Sequence, residues 1–258
     1  MKWDMHVHTQ ASFDSEMTSA EAAKAAREKN IGIAFTEHLD FECDSDLVCM
    51  PDDWSGYLEI NRPLRSQGVL LGLEIGLTVN TRALGRKASC ECESDFVIGS
   101  VHVVEGRDIF TDFFSQDLPA REIYRKYLKC TLAVIENCAF FDSLGHIDYP
   151  SRYSPFPVKN IEYHEFKLEY GEIFTALLDY KKALEINTSR LNDVDFRKNA
   201  SLIMKGFSDC GGSLVTIGSD AHRACDLGRN LEAGYEIAAE NSLSPVYFRE
   251  REAFPIQL

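Results

Sequence analysis

The residues of this chain best suited to chemistry are histidines and acids. Two histidines stand one residue apart near the N-terminus, in Asp4-Met5-His6-Val7-His8-Thr9. At the end of a short apolar run, such a pair can aim both imidazoles at one metal ion. Taken alone, it is equally a pair of hydrogen-bonded strand residues. The pattern gains force because His38, Glu74, His102, His146, Asp220 and His222 follow further along the chain. Asp14 joins them if the short loop after His8 folds back. One zinc ion takes about four protein ligands, so a set of this size implies two or three divalent ions. Imidazole and carboxylate ligands suit zinc, manganese and iron alike. There is no Cys-x5-Arg phosphatase loop and no Walker-type glycine-rich loop to suggest another chemistry.

What must position these residues is a series of strands. Lys2–His8 alternates apolar and polar residues, which reads as a first strand ending at His6 and His8. Ile31–Thr36, Val69–Leu73, Phe96–Val101, Phe140–Leu144, Ala183–Asn187 and Leu214–Ser219 are short apolar or β-branched runs. Most of them stop at a ligand-type residue: His38, Glu74, His102, His146, then Asp220 and His222. Between the strands lie helix-compatible segments. A capping box, Thr18-Ser19-Ala20-Glu21, opens the first of these. Residues 40–68 read as an acidic loop and one helix, and 78–94 as a helix broken near Gly85. The strongest helical pattern runs from about Pro119 to Ala139, with proline near its first turn. Further helices are expected over 163–180, 194–210 and 227–241, the second stopping at Gly211-Gly212. The stretches 105–118 and 149–161 read as loops, and a last short strand is expected around Val246-Tyr247-Phe248.

Alternating strands and helices predict an α/β fold with a parallel sheet. In a chain of 258 residues this suits a distorted (β/α)7 TIM-like barrel spanning 1–258 as a single domain, ahead of an open doubly wound sheet. Either arrangement brings the carboxyl ends of the strands to one face. Six of the seven histidines would then converge there, and His164, inside an expected helix, would lie on the surface. Uncoordinated imidazoles and carboxylates crowded together would cost desolvation without return, so convergence argues for metal.

The formal net charge of −14 argues against nucleic acid or an anionic membrane as partner. No run approaches the roughly 20 apolar residues of a membrane span, and the first residues lack a signal peptide's apolar stretch. A cytoplasmic location is the expectation. The eight cysteines form no CxxC pair and read as free thiols, many of them buried.

His6-Val7-His8-Thr9, Thr36-Glu37-His38, Gly72-Leu73-Glu74, Gly99-Ser100-Val101-His102, Gly145-His146-Ile147-Asp148 and Gly218-Ser219-Asp220-Ala221-His222 resemble, in order and over nearly the whole chain, the motifs of the polymerase and histidinol phosphatase (PHP) superfamily. The resemblance implies a distorted seven-stranded barrel with a trinuclear metal centre. By motif, the first ion would take His6, His8, Glu74 and Asp220, and the second Glu74, His102 and His146. The third would take Asp14, His38 and His222, Asp14 lying in a Ser12-Phe13-Asp14-Ser15 loop similar to the family's. Gly145-His146-Ile147-Asp148 with Arg152-Tyr153, and Leu184-Glu185-Ile186-Asn187-Thr188-Ser189, look nearest to the histidinol-phosphate phosphatase branch. The chain departs from that branch where Arg190 follows Ser189 directly and at Tyr149-Pro150-Ser151.

The implied activity is a phosphoric monoester hydrolase acting on L-histidinol phosphate, a step of histidine biosynthesis. Metal ions lower the pKa of a water so that hydroxide attacks phosphorus near neutral pH. Arg152 and Arg190, and less directly Arg223, are the arginines placed to hold phosphoryl oxygens, with Asn187 as a further substrate contact. Asp220 and His222 join Arg152 and Arg190 as candidate catalytic groups, and Asp220 or a water at the centre could protonate the leaving alkoxide. Two competing readings remain at this level. One is a phosphoesterase for a nucleotide, sugar phosphate or phosphotyrosine; the other is a metal-binding regulatory module without turnover. Oligomeric state is not legible.

Overall fold

The computed structural model describes residues 1–41 and 54–257. Seven parallel strands carry the architecture: β1 (Trp3–Val7), β2 (Gly32–Asp40), β3 (Val69–Gly76), β4 (Phe96–Ser100), β5 (Ser143–Leu144), β6 (Ala183–Asn187) and β7 (Leu214–Gly218). Each pairs in parallel with the next in chain order. Among the described residues one α-helix follows each strand: α1 (Ser19–Lys29), α2 (Trp54–Asn61), α3 (Arg82–Glu91), α4 (Ala120–Asn137), α5 (Lys167–Asp179), α6 (Val194–Asp209) and α7 (Leu231–Glu240). The strands are buried on both faces, as parallel sheets covered by helices are, and apolar except where they carry residues of the site; all eight residues of β3 are buried.

The ring closes through a seam, without a continuous ladder. One isolated parallel bridge joins Val7 to Ala221. The backbone N–H of Asp220 donates to the His6 carbonyl at 2.8 Å, and that of His8 to the Ala221 carbonyl at 2.9 Å. Gly218 allows the approach, because a Cβ there would stand 2.3 Å from the His6 Cβ. At the other end of the seam, β8 (Ser244–Arg249) pairs with the first residues of β7. Its Tyr247 stacks on Trp3 of β1 with ring centroids 4.7 Å apart. The seam is tight at the carboxyl ends and wedged open at the amino ends, which makes the barrel a distorted one. A last strand, β9 (Glu252–Pro255), pairs antiparallel with β8.

Local signals explain the element ends. The Thr18 side chain accepts from the Glu21 N–H at 3.2 Å while the Glu21 carboxylate accepts from the Thr18 N–H at 2.8 Å, completing the expected capping box. Asn30 closes α1 in the left-handed region, and Gly211 follows α6 with φ 97°. Other expectations need correction. β2 and β3 run on to Asp40 and Gly76, so His38 and Glu74 lie within strands and not past their ends. β5 is only Ser143–Leu144; the Phe140 carbonyl is instead taken by Ser89 Oγ at 2.7 Å and Arg251 Nη2 at 2.8 Å. Gly85 does not break α3; it is buried inside the helix, where a Cβ would come within 3.0 Å of Phe140. α5 starts at Lys167, because the Tyr163 N–H donates to Asn199 Oδ1 at 2.9 Å before the helix begins. His164 therefore sits in a turn, exposed to solvent as expected, but not in a helix. The segment 105–118 carries part of a two-residue hairpin, Val103–Val104 with Arg107–Asp108. The acidic loop expected after residue 40 falls largely outside the described residues.

No helix of the described residues is long and apolar enough to cross a membrane. Among the described cysteines, Cys92 and Cys138 are buried and Cys90, Cys210 and Cys225 are exposed, and these five are free thiols.

Candidate metal centre

Register brings the ligand-type residues together. His38 of β2 stands directly beside Glu74 of β3, and the seam sets β1 beside the turn after β7. Asp220 adopts φ 55°, a left-handed conformation that costs a non-glycine residue about 1–2 kcal/mol. It lies where the chain leaves β7 to bridge to β1.

Three groups result. His6 Nε2 lies 3.2 Å from Glu74 Oε2 and 3.7 Å from Asp220 Oδ1, and His8 Nε2 lies 3.4 Å from each of the same oxygens. Glu74 Oε1, the other oxygen, is 2.7 Å from His146 Nε2 and 3.3 Å from His102 Nε2. Asp14 Oδ2 is 3.4 Å from His38 Nε2 and 3.0 Å from His222 Nε2. Glu74 thus offers one oxygen to each of the first two groups, and His38 Nδ1, 3.1 Å from Glu74 Oε2, ties in the third. All nine residues singled out by sequence as ligands lie in this cluster.

The outer nitrogens of four histidines are held by oxygens. His6 Nδ1 meets Glu185 Oε1 at 2.6 Å, His8 Nδ1 meets Ser12 Oγ at 3.2 Å, and His102 Nδ1 meets Asp40 Oδ1 at 2.8 Å. His222 Nδ1 meets the Asp220 carbonyl at 3.0 Å. Such contacts fix the tautomer that turns Nε2 inward. Glu37 accepts from the Thr9 N–H, the Thr9, Ser12 and Tyr57 hydroxyls, all within 3.0 Å, and so pins the loop carrying Asp14. Asp4 accepts from Ser219 N–H and Gly228 N–H, both at 2.8 Å, which locks the seam. Sequence reasoning missed these acids. A signal existed: Glu185 interrupts the apolar run Ala183-Leu184-Glu185-Ile186, and a buried carboxylate must have partners.

The electrostatics suit a cation. Burial alone would raise the Glu74 pKa, but His6, His38 and His102 hold it well below the usual carboxylate range. Burial is likewise outweighed at Asp220, where Arg152 and His6 keep the carboxyl ionised. Burial, with His38 and His222 nearby, pushes His8 down to about 3, so its ring is neutral. For His6 burial opposes charge, yet Glu185, Glu74 and Asp220 raise its pKa well above the ordinary value. The Nε2 atoms of His6 and His8 are buried without a hydrogen-bond partner among the described residues. Unpartnered imidazole nitrogens facing ionised carboxylates form a donor set that fits a divalent ion.

Beside the cluster is a recess lined by Asp148, Tyr149, Arg152, Asn187, Ser189 and Arg190. Arg152 Nη2 donates to Asp220 Oδ2 at 2.6 Å and to Ser189 Oγ at 3.1 Å. Arg190 lies over the Phe196 ring, 4.3 Å from its centroid, and its buried Nη1 has no partner among the described residues. The Asn187 amide is engaged by Glu185 and Ser189, so it shapes the wall of the recess. Arg223 is exposed on the opposite flank, beside Asp14 and His222.

A model of the PHP domain family matches residues 4–189. A probable histidinol-phosphatase of Clostridium acetobutylicum is 36% identical over 253 residues, covering 97% of this chain and 98% of that one. The histidinol-phosphatase of Lactococcus lactis is 32% identical over 232 residues, covering 86% of this chain and 85% of that one. A crystal structure of histidinol phosphate phosphatase from Lactococcus lactis, complexed with zinc, L-histidinol and phosphate, superposes with a TM-score of 0.87 at 27% identity, covering 98% of each chain. With its motifs, its distorted barrel and its cluster of imidazoles and carboxylates, this chain belongs to the PHP domain family.

Proposed function

We propose that the chain is a metal-dependent phosphomonoesterase that hydrolyses L-histidinol phosphate to L-histidinol and phosphate, as a single cytoplasmic domain of histidine biosynthesis. The observation that carries this reading is the convergence of the unpartnered Nε2 atoms of His6 and His8 on Glu74 and Asp220, with Arg152 at the same carboxylate. The zinc, L-histidinol and phosphate held by the Lactococcus lactis enzyme support the choice of substrate and of zinc. Manganese or iron would suit the same ligands. The reading assigns His6, His8, Glu74 and Asp220 to one ion, Glu74, His102 and His146 to a second, and Asp14, His38 and His222 to a third.

Bound there, divalent ions supply a nucleophile from water near neutral pH and neutralise charge on phosphoryl oxygens. The chain's own residues bind and orient the ester. Arg152 keeps N–H groups beyond those used by Asp220 and Ser189, and these can donate to non-bridging phosphoryl oxygens. Arg190 brings its unpartnered Nη1 to the same recess. Asp220, held ionised, serves as ligand and as the acceptor that fixes Arg152; it does not carry the proton a leaving alkoxide needs.

Phosphate release is to be measured on L-histidinol phosphate, nucleoside monophosphates and phosphotyrosine, with bound metal counted in the same preparation. L-histidinol phosphate is expected to give the highest kcat/KM, and to lose it on chelation. A higher kcat/KM on another ester would overturn the substrate, and fewer than two ions per active chain the multinuclear reading.

A further inference from the structure

The imidazoles of the centre are not held alike. His6, His8, His102 and His222 each place the outer nitrogen against an oxygen. His146 points Nε2 at Glu74 Oε1, while its Nδ1 is buried with no partner among the described residues. Apart from that Nε2 contact, no polar group among the described residues holds the ring from its outer side. What lies against it is Tyr149, with centroids 4.7 Å apart and planes 22° from parallel. The same tyrosine ring meets His102 at 5.0 Å and carries the Arg152 guanidinium 5.4 Å from its centroid. Its backbone N–H donates to the His146 carbonyl at 3.1 Å, which anchors the tyrosine one turn beyond the histidine. The Tyr149 hydroxyl donates to the Tyr153 hydroxyl, at 3.4 Å.

We propose that Tyr149 is a positioning residue for the group formed by Glu74 Oε1, His102 and His146. Its ring face takes the place of the outer hydrogen bond that His146 lacks, and covers His102 and Arg152 as well. Orientation of an imidazole ligand ordinarily comes from an outer hydrogen bond, and losing such a partner typically costs about 10–100-fold in metal affinity. Stacked aromatic faces restrict the same rotation. The inference rests on the reading that these groups hold metal ions.

The test compares wild type with Tyr149→Phe, Tyr149→Leu and Tyr149→Gln. Zinc affinity is measured by chelator competition, ions per chain by elemental analysis after dialysis, and the metal-free melting temperature by circular dichroism. Tyr149→Leu and Tyr149→Gln are expected to weaken one class of ion about 10–100-fold, with the other ions and the metal-free melting temperature retained. Tyr149→Phe, which keeps the ring face, is expected to bind as wild type does. The proposal is overturned if Tyr149→Leu and Tyr149→Gln bind every ion with wild-type affinity. It is also overturned if Tyr149→Phe loses as much as they do, or if both non-aromatic variants fail to fold even without metal. Wild type that binds no divalent ion would sink the metal-centre reading itself, which separates the two failures.

Discussion

Replacing Glu185 by glutamine probes the inner face of the centre without touching any proposed ligand. The Glu185 carboxylate accepts from His6 Nδ1 at 2.6 Å through one oxygen, and from the His146 N–H at 2.8 Å and Asn187 Nδ2 at 3.3 Å through the other. Glutamine has one carbonyl oxygen. If that oxygen faces the His146 N–H, the amide NH2 faces His6 Nδ1 and drives the imidazole proton to Nε2. The lone pair then leaves the nitrogen aimed at Glu74 and Asp220. If the oxygen faces His6 instead, the NH2 confronts a buried backbone N–H, and a buried donor without a partner costs about 1–3 kcal/mol. The first arrangement should lower metal affinity about 10–100-fold, the usual effect of losing an outer carboxylate, or about 1.4–2.8 kcal/mol, and the second should lower the melting temperature. Chelator competition with zinc on wild type and Glu185→Gln measures it directly. Unchanged affinity, with an unchanged melting temperature, would refute the idea that Glu185 sets the His6 tautomer.

Removing the guanidinium in Arg152→Ala should lower kcat/KM for L-histidinol phosphate about 10²–10³-fold, as loss of a donor to developing charge does. Arg152→Lys should recover only part of it, since lysine lacks the planar fork; wild-type kcat/KM in the alanine variant would count against the assignment. Gly218→Ala puts a methyl 2.3 Å from the His6 Cβ and 2.7 Å from Glu185 Oε1. The seam must part, so a melting-temperature drop equivalent to about 1–3 kcal/mol or more is expected, and a stable variant with full metal content would contradict it. Metal affinity should also depend on pH with a definite sign. The surrounding acids raise the pKa values of His6 and His102 above the ordinary imidazole value, against the effect of burial. A proton on either ring must leave before a lone pair can be shared, so affinity should weaken as pH falls through those raised values and strengthen above them. Chelator competition over a pH series would expose a flat profile, which this account excludes.

Much of the barrel was legible because its strands are short apolar runs punctuated by turn and cap residues. The alternation predicted seven strands, and Ala183–Asn187 matched to the residue. Boundaries failed where tertiary contacts decide them. Phe140 left its strand because Arg251 and Ser89 bind its carbonyl, and Gly85 stayed helical because Phe140 packs over it. Those partners are distant in sequence and leave no local periodic trace.

By itself the sequence determined the inventory of the centre. The residue types of His6, His8, Asp14, His38, Glu74, His102, His146, Asp220 and His222, placed near strand ends, carry ligand chemistry whatever their neighbours. Only the tertiary structure decided who holds whom. Glu74 splits its oxygens between two groups because β2, β3 and β4 lie in register, and Asp220 reaches His8 because the seam meets at Gly218. Glu185, Glu37, Asp40 and Tyr149 entered as supports for the same reason. Hydrogen bonding and stacking act over a few ångströms in space, and residues 179 positions apart, as His6 and Glu185 are, or 224, as Asp4 and Gly228 are, meet only when the barrel closes.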